Sequence, residues 1–276
     1  MAFDLARYQQ RSAKLDLRGI AWDAAPRTPL SADAIHAIEY MMDIEGNTSI
    51  YLSELLVSKA CMDPSITGFL HVWAYEEMFH SLALRRFLEA YGVPVADERQ
   101  ERLRRETNAL RVRTTLGIMF ASRAVDVFAA VYLTIGALNE LTTLHGYHRL
   151  ARRAGHPILE DLLTRIAKQE RVHYAFYRSQ AARLLENSGL ARFITRTYLR
   201  RSYVAVGAGV KPQGDIDRLV GYLLDGPDGR EVARNIDGEI GRLPGLRGLH
   251  LAERTLDRAT TPGVGTHLRA ASLRHA

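Results

Sequence analysis

Two stretches of this chain place metal-binding residue types at a usable spacing: Glu77-Met78-Phe79-His80 and Glu170-Arg171-Val172-His173. A glutamate and a histidine three apart on a helix point to the same side. Carboxylate oxygen and imidazole nitrogen are donors that divalent first-row metals accept. Two such pairs, plus one inward glutamate from each of two more helices, build a carboxylate-bridged two-metal site inside a four-helix bundle. Glu45 and Glu140 are the candidates for the two single glutamates.

A Glu-x-x-His alone is a weak motif and is more often a surface turn. With 16 glutamates and 10 histidines in 276 residues, composition predicts fewer than one match, and two occur. Order and spacing strengthen the pattern. Thirty-two residues separate Glu45 from Glu77 and 30 separate Glu140 from Glu170, which suits two antiparallel helical hairpins crossed at one height. Each candidate also lies on an apolar stripe. Glu77 shares its face with Leu70, Trp73, Leu84 and Leu88, and Glu170 with Leu163, Ile166, Tyr174 and Tyr177. Glu45 follows Ile38, Met41 and Met42, and Glu140 lies with Leu133, Ala137, Leu144 and Tyr147. Carboxylates on core stripes must be protonated, paired or metal-bound. No arginine lies on those stripes, and two divalent cations would balance four carboxylates.

The elements that must hold these residues read as helices. Ser31 caps a helix expected to run to about Ala60. Asp63-Pro64 starts a second, ended by Gly92 and Pro94. A charged, helical segment covers Val95–Arg113. A long apolar helix is expected over 115–154, closed by Gly155, and another over 157–187. An arginine-studded helix then runs to about Val206. A short amphipathic helix is expected over 3–18. The fold class is all-α, a four-helix core over about 31–60, 64–92, 115–154 and 157–187 with extra N- and C-terminal helices. Residues 1–206 form the bundle. From Gly207 glycine and proline become frequent, and 207–276 reads as a short-helix appendage packed on it, with a loose tail from about 260.

Length and 47% hydrophobic content allow a large core. No run of 18 apolar residues appears, so no membrane span is expected. Met1 to Asp16 carries charges throughout and no apolar signal core, and the expected location is the cytoplasm. Cys61 is the only cysteine, which excludes internal disulfides and zinc-thiolate sites. The net charge of +6 comes almost entirely from arginine, with clusters at 99–105 and 196–201. These could meet an acidic partner or form a solvated helix face, and no nucleic-acid motif accompanies them.

Thr143 shares the Glu140 face and could bond an oxygen species at the metals, or its own helix backbone instead. His145 and His148 follow Glu140 but fall off its face. Glu76, beside Glu77, points elsewhere, to a supporting position or to the surface. Trp73 is most simply a core residue.

The segment Trp73-Ala74-Tyr75-Glu76-Glu77-Met78-Phe79-His80 resembles the Trp-x-x-Glu-Glu-x-x-His signature of the soluble acyl-carrier-protein desaturases, a family of ferritin-like di-iron carboxylate proteins. Gln169-Glu170-Arg171-Val172-His173 resembles their second Glu-x-x-His. Glu45 with Tyr51 matches the first glutamate and following tyrosine, and Glu140 with Thr143 the family's Glu-x-x-Thr. The resemblance covers about 31–200 and continues weakly to Arg242-Leu243-Pro244-Gly245-Leu246.

The resemblance implies two iron ions held by Glu45, Glu77, His80, Glu140, Glu170 and His173; a manganese–iron pair would use the same ligands. It implies Thr143 beside the oxygen-binding face, with Trp73 and Gln169 supporting the ligands. It also implies O2-dependent desaturation of an acyl chain on an acyl carrier protein, a ferredoxin-type electron donor and a homodimer. The family usually reads Glu-Glu-Asn-Arg-His and Asp-Glu-Lys-Arg-His. Here Met78-Phe79 replaces a polar pair, and Gln169 replaces the acid that orients a ligand histidine. Alternatives with the same ligands are a hydroxylase or N-oxygenase of a small metabolite, and iron storage or peroxide detoxification.

Overall fold

Ser31 accepts a hydrogen bond from the Ala34 backbone N–H and starts helix α2, Ala32–Gly46. The computed structural model describes residues 3–56, 59–106 and 126–261. The chain before α2 holds α1, Leu5–Arg11, shorter than the helix expected over 3–18, and a 3-10 turn at Trp22–Arg27. The helix expected to reach Ala60 breaks at Gly46-Asn47. Asn47 leaves helical geometry, and its side-chain amide donates to the Asp43 carbonyl and to Gln100 Oε1, both at 2.7 Å. The Gln100 amide packs 2.5 Å from where a Cβ on Gly46 would sit, so a larger residue there would push that amide aside. Helix α3 then runs Thr48–Leu56, followed by a 3-10 turn at Lys59–Met62 that holds the free Cys61.

Helix α4 spans Pro64–Tyr91, with Asp63 accepting from Ser65 N–H and Gly92 at φ +98° closing it. A short helix α5 covers 99–106 and starts later than the expected Val95, since 95–98 form a non-helical stretch and turn; residues 107–113 of the expected charged helix lie outside the described residues, as does the 115–125 part of the long apolar helix. Helices α6, Asp126–Ala154, and α7, Pro157–Asn187, pair along their lengths. Helix α8, Gly189–Ser202, stops short of Val206, and α9 (Gln213–Leu224), α10 (Gly226–Ile240) and α11 (Leu251–Thr260) follow. The expected tail beyond 261 lies outside the described residues. The architecture is all-α, a helical bundle with no strand among the described residues.

The interior is layered. One apolar cluster includes Phe69, Leu70, Trp73, Leu133, Phe176 and Tyr177, joined by Ile236 and Leu256 of the C-terminal helices. The other includes Ile38, Met42, Leu84, Phe87, Tyr147 and Ile166. Along α4 and α7 the change from one cluster to the other falls at Glu77–His80 and Glu170–His173, so a polar layer lies between two dry ones.

Helix α6 is long and apolar enough to cross a membrane by length and composition, although no uninterrupted apolar run of 18 residues exists. More than half of its most apolar stretch is buried, as in a core helix, and it carries the buried Glu140. The basic cluster at 99–105 is partly engaged within the chain. Arg99 forks onto Asp43, Arg104 bonds the Gly46 carbonyl, and Arg105 pairs with Glu101.

Candidate metal centre

Helices α2, α4, α6 and α7 bring six side chains to the polar layer: Glu45, Glu77, His80, Glu140, Glu170 and His173. None is more than 6% exposed. They form two overlapping groups. Glu45, Glu77, His80 and Glu170 offer ligand atoms within 4.8 Å of one another, and so do Glu77, Glu140, Glu170 and His173. Glu77 and Glu170 belong to both. Each group thus has three carboxylates and one imidazole, with two carboxylates shared.

The atoms converge without satisfying one another. His80 Nδ1 lies 3.0 Å from Glu170 Oε1, and His173 Nδ1 lies 3.0 Å from Glu77 Oε1. These four buried atoms nevertheless make no aligned hydrogen bond. Orphaned buried polar atoms are rare and costly. Four of them facing common points, from residue types that ligate divalent metals, fit a pair of metal ions. His80 and His173 turn their rings 34° apart, with centroids 5.9 Å apart.

The electrostatics agree. Burial, and then the neighbouring Glu77, push Glu45 well above the usual carboxylate range; burial and Glu170 do the same to Glu140. Burial would also raise Glu77, but the neighbouring Glu45 carboxyl and the His173 and His80 imidazoles hold it well below that range. Burial would lower His80, yet Glu170 and Glu77 push it up to about 10. By itself, the cluster holds protons in place of cations, and metal binding to such ligands displaces protons.

A shell of hydrogen bonds aims the ligands. Trp73 Nε1 donates to Glu140 Oε1 at 3.0 Å, so this core residue also supports the cluster. Gln169 Oε1 accepts from His80 Nε2 at 2.8 Å. The amide thus orients the His80 ring from the position where the resembled family has an acid. Glu76 is 2% exposed and accepts from His173 Nε2 at 2.7 Å, which settles its place as supporting and not surface. Of the other unusual residues, Met78 and Val172 are exposed, and Phe79 sits under Lys14 and against Tyr75. They face away from the ligands.

Two supporting tyrosines were not singled out from sequence. Tyr147 donates a hydrogen bond to Glu45, and Tyr8 donates to Glu76 at 2.6 Å. Tyr147 had a signal, since it lies seven residues after Glu140 on the same stripe. Tyr8 had none beyond an amphipathic helix far away in the chain. His145 and His148 join neither group. Thr142, not Thr143, bonds its own helix backbone, at Leu138 O.

A cavity of about 300 Å³ reaches the cluster. Glu45, Glu77, Glu140 and Glu170 line it, as do Trp73, Thr143, Tyr51, Tyr132, Tyr198 and Tyr203. A second space of about 80 Å³ shares Glu45, Thr143 and Tyr203 with it and extends among Ile216, Leu219 and Val220 of α9. Gly136 lines the larger cavity, and the Tyr177 ring packs where its Cβ would be, 2.4 Å away.

The sequence model described as fatty acid desaturase matches residues 51–205, more than half of the chain. No curated protein and no solved structure matches it.

Proposed function

The chain belongs to the fatty acid desaturase family, and from that premise we propose that it is a di-iron, O2-dependent oxidoreductase that desaturates an acyl chain, delivered on an acyl carrier protein. The observation that carries this reading is the pair of overlapping ligand groups sharing Glu77 and Glu170, whose four glutamates line a mostly apolar cavity of about 300 Å³. Bound iron would supply the O2 activation and electron storage needed to remove hydrogen from an unactivated C–H bond, with electrons from a ferredoxin-type donor.

The protein's own residues do the rest. Glu77 and Glu170, common to both groups, would be shared by a pair of ions, with Glu45 and His80 helping to hold one and Glu140 and His173 the other. Tyr147 and Trp73 hold Glu45 and Glu140 in place. Gln169 and Glu76 each take the outer nitrogen of one histidine, leaving its Nδ1 to face inward. The apolar layers above and below leave the cavity as the side from which the cluster is approached. Thr143 lines the cavity together with Glu45 and Glu140, and its hydroxyl could hold or pass a proton there. The net charge of +6 suits an acidic carrier.

The test is reconstitution with Fe(II) under anaerobic conditions, then O2, a reducing system and acyl carrier proteins bearing chains of graded length. Two irons per chain and a product lighter by two hydrogens are expected. A product heavier by one oxygen would assign hydroxylation instead, and a chain that takes up no iron would remove the reading altogether.

A further inference from the structure

Glu76 accepts four hydrogen bonds. Tyr8 at 2.6 Å and His173 Nε2 at 2.7 Å share its Oε2; Ser12 at 2.7 Å and Gln169 Nε2 at 3.1 Å share its Oε1. Gln169 Nε2 also donates to the Ala13 carbonyl at 3.0 Å. The N-terminal segment therefore supplies two donors to the carboxylate behind His173, and one acceptor to the amide behind His80. Both histidines are tied to it by a single intervening side chain.

Helix α1 has seven residues, too few to be stable alone. Its order must come from what it touches. Phe3 packs edge-on against Phe176, with centroids 5.1 Å apart, and Tyr8 packs on Phe69 at 5.3 Å. Packing alone would be served by phenylalanine at position 8. A buried hydroxyl demands a partner, and this one has the carboxylate that orients a histidine of the cluster.

We propose that residues 3–13 form a clamp on the metal centre, in which Tyr8 and Ser12 are positioning residues that fix Glu76 and, through it, the His173 ring. The proposal rests on the metal reading above. Linkage then requires reciprocity: docking of the clamp raises metal affinity, and metal binding holds the clamp down by the same factor.

The test uses the full chain and Co(II) as probe, with affinity from chelator competition, the visible Co(II) spectrum, and hydrogen exchange of the α1 amides. Tyr8→Phe with Ser12→Ala should weaken Co(II) binding about 10-fold, the lower end for losing support behind a ligand histidine. The Co(II) band should change shape, and Ser12→Thr, which keeps the hydroxyl, should bind as wild type does. In the wild type, Co(II) should slow exchange over Leu5–Arg11. Unchanged affinity and spectrum in the double variant, with α1 exchange indifferent to metal, would overturn the clamp while leaving the metal reading intact. A wild type that binds no Co(II) would overturn both.

Discussion

Gln169 serves two residues at once: its Oε1 accepts from His80 Nε2 at 2.8 Å, and its Nε2 donates to Glu76 Oε1 at 3.1 Å. An acid at 169 could do the first but not the second, because it would face Glu76 and the Ala13 carbonyl with no hydrogen to give. Gln169→Glu should therefore destabilise the metal-free protein by about 1–3 kcal/mol, the cost of unpaired buried polar groups, measured by urea unfolding. Gln169→Leu should also weaken metal binding about 10- to 100-fold.

Trp73 Nε1 donates a hydrogen bond to Glu140 Oε1 at 3.0 Å. Trp73→Phe keeps most of the ring packing and removes that donor. The metal-free variant should lose about 1–3 kcal/mol. A metal bound to Glu140 would satisfy the carboxylate, so the loss should shrink in the loaded protein; thermal melts with and without metal check this.

Glu77 and His173 sit in the ligand groups on different helices. Glu77→Ala and His173→Ala should each abolish turnover while leaving helicity, by circular dichroism, largely intact. A ligand that binds only the folded chain stabilises it by about 2.7 kcal/mol at 100 times its Kd. Wild-type protein should show a gain of this order with saturating Fe(II) or Co(II), and neither variant should.

Asp43 is fully buried and accepts from Arg99 at 2.7 and 2.9 Å and from Lys211 at 2.7 Å. It ties α5 and the chain before α9 to the helix that carries Glu45. Breaking a buried ion pair from one side costs about 3–5 kcal/mol, and Asp43→Asn should lose that order of stability in denaturant unfolding.

Gly136 is where the Tyr177 ring lies against α6. Gly136→Ala would force the ring aside, and overpacking of this kind costs about 1–3 kcal/mol. Because both residues line the cavity, the variant should also lose affinity for the longest acyl chains, seen in a binding series of graded chain length.

The six clustered side chains were legible because helix geometry turns sequence spacing into direction: Glu77 with His80 and Glu170 with His173 had to share faces. Their partners were less so. Gln169 and Trp73 could be named beside the motif, but Glu76 at its adjacent position left its direction open, and the structure turns it inward onto His173. Tyr8 reaches Glu76 across 68 residues of sequence, and no local pattern encodes such a meeting. The break at Gly46-Asn47 was missed for a different reason. One glycine inside an apolar-periodic run costs a helix only about 1 kcal/mol; the departure occurs at Asn47, whose amide is bonded to the Asp43 carbonyl and to Gln100, a partner 53 residues away in sequence.

That break divides labour within what would otherwise be a single rod. Glu45 stands just before it, on the segment anchored by Asp43, while Thr48, Tyr51 and Leu55 stand after it on the cavity wall. With the helix interrupted at Asn47, a substitution in α3 acts first on the cavity wall and reaches the segment that carries Glu45 only through that junction.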